Sequence, residues 1–251
     1  MLPLRDENPT VRTPYATYLL IALNVLAWVL LQGVGGDPAL GRSICSYGFI
    51  PGDVLATASG AGSWATEPSR VCPSGTGGAW ATVLTSMFMH GGWFHILGNL
   101  WFLYVFGDNV EDAMGSVRFL VFYLLCGVAA ALAQAASNPA SVIPMVGASG
   151  AIGGVMGGYA LLYPKARVHM LIFLGFLITT AAVPAFVVLG YWMVVQFVGV
   201  FFSSSGGGGV AFWAHIGGFV AGLVLVLLFR RRDYVRAHLA QPPRKSARHR
   251  W

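Results

Sequence analysis

Long apolar runs alternate with short polar breaks along this chain, and six of the runs are long enough to be helices that cross a bilayer. They fall at about 15–34, 93–110, 117–136, 147–163, 184–203 and 210–229. The second is short, and Trp101, Phe102, Tyr104 and Phe106 continue it. A further apolar stretch, 168–183, is separated from the fifth run only by Pro184. As a seventh span it would put the two chain ends on opposite sides of the membrane. It is therefore read as a membrane-surface or re-entrant segment leading into the fifth helix. Residues 35–92 form a loop rich in Gly, Ser, Ala and Pro, and a loop of that length is usually functional or partly independent in structure. The pattern predicts an all-α membrane protein, a six-transmembrane-helix bundle with a long first extracytoplasmic loop.

Composition agrees. Of the 251 residues, 56% are hydrophobic and only 10% charged, against about 25% charged in an ordinary soluble domain. So few charges do not cover a soluble globule of this size, and so apolar a chain does not stay disordered.

Charge placement orients the bundle. Eight of the 15 Lys and Arg lie between Arg230 and Arg250, so the net charge of +6 is mostly a basic tail. Directly after an apolar run, such a tail reads as a cytoplasmic topology signal and not as a nucleic-acid site. Arg5 and Arg12 precede the first run, and Arg118, Lys165 and Arg167 follow the second and fourth. Six spans place all of them in the cytoplasm. The division expected is a cytoplasmic segment 1–14, a membrane domain 15–229 and a basic cytoplasmic tail 230–251 with little order after Arg232. The first loop is then outside, where Cys45 and Cys72 can pair; spacing alone does not decide it. Cys126 sits mid-run as a small core residue.

Polar residues inside apolar runs are expensive and mark candidate chemistry. His95 and Asn99 share one helix face at i, i+4. Ser149 stands in Gly147-Ala148-Ser149-Gly150, and His215 in Ala214-His215-Ile216-Gly217-Gly218. Taken alone, His215 is equally well explained as a helix–helix hydrogen bonder, worth about 0.6 kcal/mol in a membrane. Ser149 alone reads more simply as a packing residue in a Gly-rich helix. Gly150, Gly154 and Gly158 on one run, and Gly218 and Gly222 on the other, change that weighing. Small residues at this spacing let two backbones approach closely, which brings the serine within reach of a base. Ser149 also opens its helix, so its N–H lacks an intrahelical acceptor and can join His95 and Asn99 as donors to an oxyanion. The one carboxylate within the runs is Asp108, at the far end of the second and away from His95 and Asn99, and a metal site is not expected. His90 reads as a helix-entry hydrogen bonder, while His169, His238 and His249 make no case for function.

These segments resemble a known family. Thr85-Ser86-Met87-Phe88-Met89-His90-Gly91-Gly92, His95-Ile96-Leu97-Gly98-Asn99, Gly147-Ala148-Ser149-Gly150 and Ala214-His215-Ile216-Gly217-Gly218 are similar, in order, to motifs of the rhomboid intramembrane serine proteases. Glu111-Asp112 and Gly115 resemble that family's turn after the second span. The likeness covers about 80–229, with the Asn24-bearing first run matching more loosely. It implies a bundle of rhomboid type with Ser149 as nucleophile, His215 as general base, and an oxyanion hole of His95, Asn99 and the Ser149 N–H. His90, Gly147, Gly150 and Gly218 would shape the site. The implied activity is a serine endopeptidase cutting the transmembrane segments of membrane proteins, with no cofactor. Its partners would be those substrates and the bilayer, not nucleic acid, and its expected location is the plasma (inner) membrane with both termini cytoplasmic. Two departures stand out: many members carry an aromatic residue where this chain has Gly153, and a Trp-Arg pair where it has Trp80-Ala81. A non-catalytic relative holding transmembrane clients would lack Ser149 or His215, and an ion-coupled transporter would need an acid in the spans.

Overall fold

The computed structural model describes residues 2–59, 72, 80–174, 177–202 and 209–242. The first apolar run is α1 (Tyr15–Leu30), and two short helices, α2 (Ala39–Tyr47) and α3 (Pro51–Ser59), belong to the loop that follows. A single turn, α4 (Thr82–Thr85), leads into α5 (Trp93–Met114), then α6 (Ser116–Ser137) and α7 (Ser149–Leu162). α8 (Ala185–Phe202) and α9 (Phe212–Phe229) complete the bundle. α6, α8 and α9 are each long and apolar enough to cross a membrane, while α1 and α7 are shorter apolar helices. α5 runs past its apolar stretch to carry Asp108, Glu111 and Asp112 on its last turns.

α7 and α9 pack through glycine. A Cβ on Gly218 would lie 1.9 Å from the Gly150 carbonyl oxygen, and one on Gly222 equally close to that of Gly154. α6 fills the other side of α7: a Cβ on Gly154 would strike Cys126 Sγ at 2.4 Å. The core is aromatic around this seam, with Phe119, Phe122, Tyr123 and Tyr159 all fully enclosed. Cys126 is buried among them, as expected of a small core residue.

Three features depart from the helical expectation. The stretch 168–183, expected as a membrane-surface or re-entrant segment leading into the fifth helix, is a β-hairpin, β2 (Arg167–Leu174) and β3 (Leu177–Pro184). Its outer partner is β1 (Leu2–Asp6), giving an antiparallel sheet in the order β1-β2-β3, set against α5 and α8. Val168 and Met170 face the core, while Phe173 and Ile178 stand exposed on the opposite side. The indole N–H of Trp101 donates to the Pro3 carbonyl and covers part of the sheet edge.

The tail after Arg232, expected to have little order, begins as α10 (Arg232–Leu239). His238, for which the sequence made no case, is buried between Asp112 Oδ2 at 2.7 Å and Asn8 Oδ1 at 2.8 Å. His169 likewise has a partner, Glu7 Oε1 at 2.8 Å. His249 lies outside the described residues, as does most of the Ser/Gly linker 203–209. Cys45 and Cys72 form a disulfide, and the first loop docks on 138–146 through paired Phe49 and Met145.

Candidate active site

Ser149 and His215 each stand near the start of a helix, and the glycine seam sets the distance between those helices. With glycine forming the closest contacts between α7 and α9, His215 Nε2 lies 2.8 Å from Ser149 Oγ. The other ring nitrogen, Nδ1, is 2.7 Å from Gln196 Oε1 on α8. Gln196 donates its own Nε2–H to the Trp192 carbonyl at 3.1 Å, so its oxygen is what faces the histidine. A carbonyl oxygen only accepts, which puts the imidazole proton on Nδ1 and leaves the Nε2 lone pair for the serine hydroxyl. The Trp192 ring lies 5.7 Å from the His215 ring.

His95 and Asn99 project from the first turns of α5 toward the same place. Gly91 N–H donates to His95 Nδ1 at 3.2 Å, so the His95 proton sits on Nε2. That nitrogen is packed against Gly147, whose φ of +125° and hypothetical Cβ, 2.6 Å from it, leave room only for glycine. Asn99 is buried, and its Nδ2 has no hydrogen-bond partner among the described residues. Its donors therefore stand ready in a cavity of about 740 Å³, which Ser149, His215, His95 and Asn99 all line. Met145, Met156, Phe102 and Trp192 give that cavity apolar walls.

His90 stands behind this arrangement. Its backbone is clamped by Gln32, which accepts from the His90 N–H at 2.8 Å and donates to its carbonyl at 2.7 Å. The His90 ring is fully buried, 5.2 Å edge-on from that of His95. Burial first, and the neighbouring His95 second, push its pKa down to about 3. It therefore packs as a neutral ring at any ordinary pH.

The structure thus brings the sequence-picked residues together: Ser149, His215, His95 and Asn99 around one cavity, with Gly147, Gly150 and Gly218 shaping it and His90 behind. Gln196 was missed, although it is the one amide in the apolar α8 and the rule that singled out His215 applies to it equally. Trp192 carried no signal, being one aromatic among many.

A family model, the Rhomboid domain, matches residues 77–232. The chain belongs to the rhomboid family. The three long apolar helices among the described residues fit that membership, and the rhomboid chain is a multi-pass membrane protein. It is 31% identical over 209 residues to the rhomboid protease GluP of Bacillus subtilis, covering 83% of this chain and 34% of that one. It is 30% identical over 166 residues to rhomboid-related protein 2 of Mus musculus, covering 62% of this chain and 50% of that one. Rhomboid-like protease 5 of Toxoplasma gondii is 34% identical over 149 residues, 57% of this chain and 15% of its own length. The rhomboid chain therefore spans at most half the length of these three relatives.

Proposed function

We propose that this rhomboid chain is an intramembrane serine endopeptidase that cleaves transmembrane segments of membrane proteins with a Ser149–His215 dyad. The observation that carries the reading is the 2.8 Å contact from Ser149 Oγ to an imidazole whose other nitrogen is occupied. Ser149 Oγ attacks the scissile carbonyl carbon as its proton passes to His215 Nε2. The oxygen that becomes negative is met by His95 Nε2–H, Asn99 Nδ2–H and the Ser149 N–H. Collapse breaks the C–N bond, and His215 returns the proton to the departing amine. Water, deprotonated in turn by His215, then hydrolyses the acyl ester. No step calls on a metal or cofactor.

Hydrolysis needs water, so we place the Ser149 end of the bundle on the extracytoplasmic side. The six-span topology follows, with both termini in the cytoplasm and the plasma membrane as location. The relatives named as proteases support the activity class.

Labelling with a fluorophosphonate probe in detergent tests the reading. Wild type should be labelled and Ser149→Ala should not, with His215→Ala at background. A Ser149→Ala protein that still labels, or still cleaves a transmembrane substrate, would overturn it.

A further inference from the structure

The inward stripe of α8 is Ala185, Val188, Leu189, Trp192 and Gln196. Most of the remaining side chains are exposed, among them Phe186, Val187, Phe201 and Phe202. A membrane helix gains nothing from an interior amide unless the amide has a partner, and this one has two. Its nitrogen is spent on the Trp192 carbonyl one turn back, and its oxygen on His215 Nδ1.

We propose that Gln196 is a positioning residue for the reaction, a third member of the Ser149–His215 pair supplied from α8. Its oxygen holds the proton of His215 on Nδ1, which is the tautomer that leaves Nε2 free to take the Ser149 proton. Without that acceptor the imidazole can carry its proton on Nε2, and it then faces the serine as a donor. Gln196 also keeps the ring in plane with Ser149 while Trp192 stands beside it. α7 has no room for that aromatic: a Cβ at Gly153 would already lie 3.0 Å from the His215 carbonyl oxygen and 3.6 Å from Trp192 Cη2. The wall beside His215 is thus built from α8. During acyl transfer His215 becomes an imidazolium, and the Gln196 carbonyl dipole faces its Nδ1–H throughout. A neutral amide supports that cation without fixing a charge inside the bundle, where a carboxylate would be costly.

This inference rests on the serine-endopeptidase reading, and its test separates the two. The rate of fluorophosphonate labelling is measured against pH for wild type, Gln196→Leu, Gln196→Glu and Ser149→Ala in detergent, normalised to folded protein. Gln196→Leu, of similar size with no acceptor, should label roughly tenfold or more slowly. Gln196→Glu keeps the acceptor and adds a charge that favours the protonated imidazole, so its acid limb should move to higher pH. Gln196→Leu labelling at the wild-type rate, or Gln196→Glu with a wild-type pH profile, would overturn the positioning role while leaving the dyad intact. Should Gln196→Leu fail to fold, the Gln196→Glu profile decides alone. Wild type that does not label, or labelling that survives Ser149→Ala, would sink the underlying reading instead.

Discussion

Single atoms carry most of the chemistry proposed for this site. Among the described residues the buried Asn99 amide has a donor with no partner, and it lines the cavity, where a ligand can use it. If that something is an oxyanion, Asn99→Ala should lower kcat by about 10²–10³ while KM changes little. Steady-state cleavage of a transmembrane peptide in liposomes measures both, and an unchanged kcat would remove Asn99 from the hole. His90 makes a separate claim about stability. Its native pKa of about 3 lies below the value near 6.5 that an unfolded chain would show. Between those values the unfolded state binds a proton that the native state does not, so stability rises with pH across that window. It is full above about pH 6.5 and lost as pH falls toward 3, by up to about 1.4 kcal/mol per pH unit for one site. Thermal unfolding from pH 4 to 7 should show this slope, and His90→Gln should flatten it. The titrating and hydroxyl side chains were legible in the sequence because a polar group among apolar neighbours is conspicuous. Gln196 obeyed the same rule and escaped because no histidine shares its helix, as His95 shares that of Asn99.

Between elements, the decisive feature is the absence of side chains where α7 meets α9. Gly218→Ala and Gly222→Ala would each set a methyl 1.9 Å from a backbone oxygen, and backbone cannot step aside as a flexible side chain can. The helices must separate by more than an ångström, which lengthens the Ser149–His215 contact. Both variants should lose most fluorophosphonate labelling, whereas Gly190→Ala, with nothing within 4 Å of its added methyl, should label normally. Full labelling of Gly218→Ala would mean that the seam does not set the dyad. The glycine spacing foretold this packing. The sheet was not foretold, and the reason is physical. β2 and β3 carry consecutive apolar residues, Leu171 to Leu174 and Leu177 to Ile178, so they lack the alternation that marks a half-buried strand. The pairing that adds the third strand, Leu2 with Leu171 and Asp6 with Val168, joins residues too far apart in the chain for local pattern to report.

Taken whole, the molecule is closed at the end opposite the cavity by two adjacent carboxylates. Glu111 accepts the N–H groups of Ala16 and Thr17 at 2.9 and 2.8 Å, and the hydroxyls of Thr17 and Ser116 at 2.8 and 2.6 Å. It caps α1, whose first residues supply no cap of their own. Glu111→Ala leaves those donors without an acceptor, at about 1–3 kcal/mol each where no water replaces it. Thermal unfolding in detergent should show a loss of about 3 kcal/mol or more; a loss under 1 kcal/mol would mean that water takes the place of the carboxylate. Asp112 gathers the chain's ends in the same way. It accepts the N–H of Val11 and Arg12 at 3.1 and 3.0 Å, the Arg12 guanidinium at 3.2 Å and His238 at 2.7 Å. Arg12 and Arg231 then lie over the Tyr234 ring, 3.5 and 3.9 Å from its centroid.

That junction has a mechanical meaning. Because His238 bridges Asn8 and Asp112, a force applied between residue 2 and residue 242 meets this knot of side chains at the last turn of α5 before it reaches the Ser149–His215 end. The load path between those two residues bypasses the half of the molecule that holds Ser149 and His215. In a single-molecule pulling experiment in a bicelle, the first rupture should be small, releasing β1 and α10 with the Ser149–His215 end still assembled. His238→Ala should remove that first rupture and leave the larger ones at their original forces.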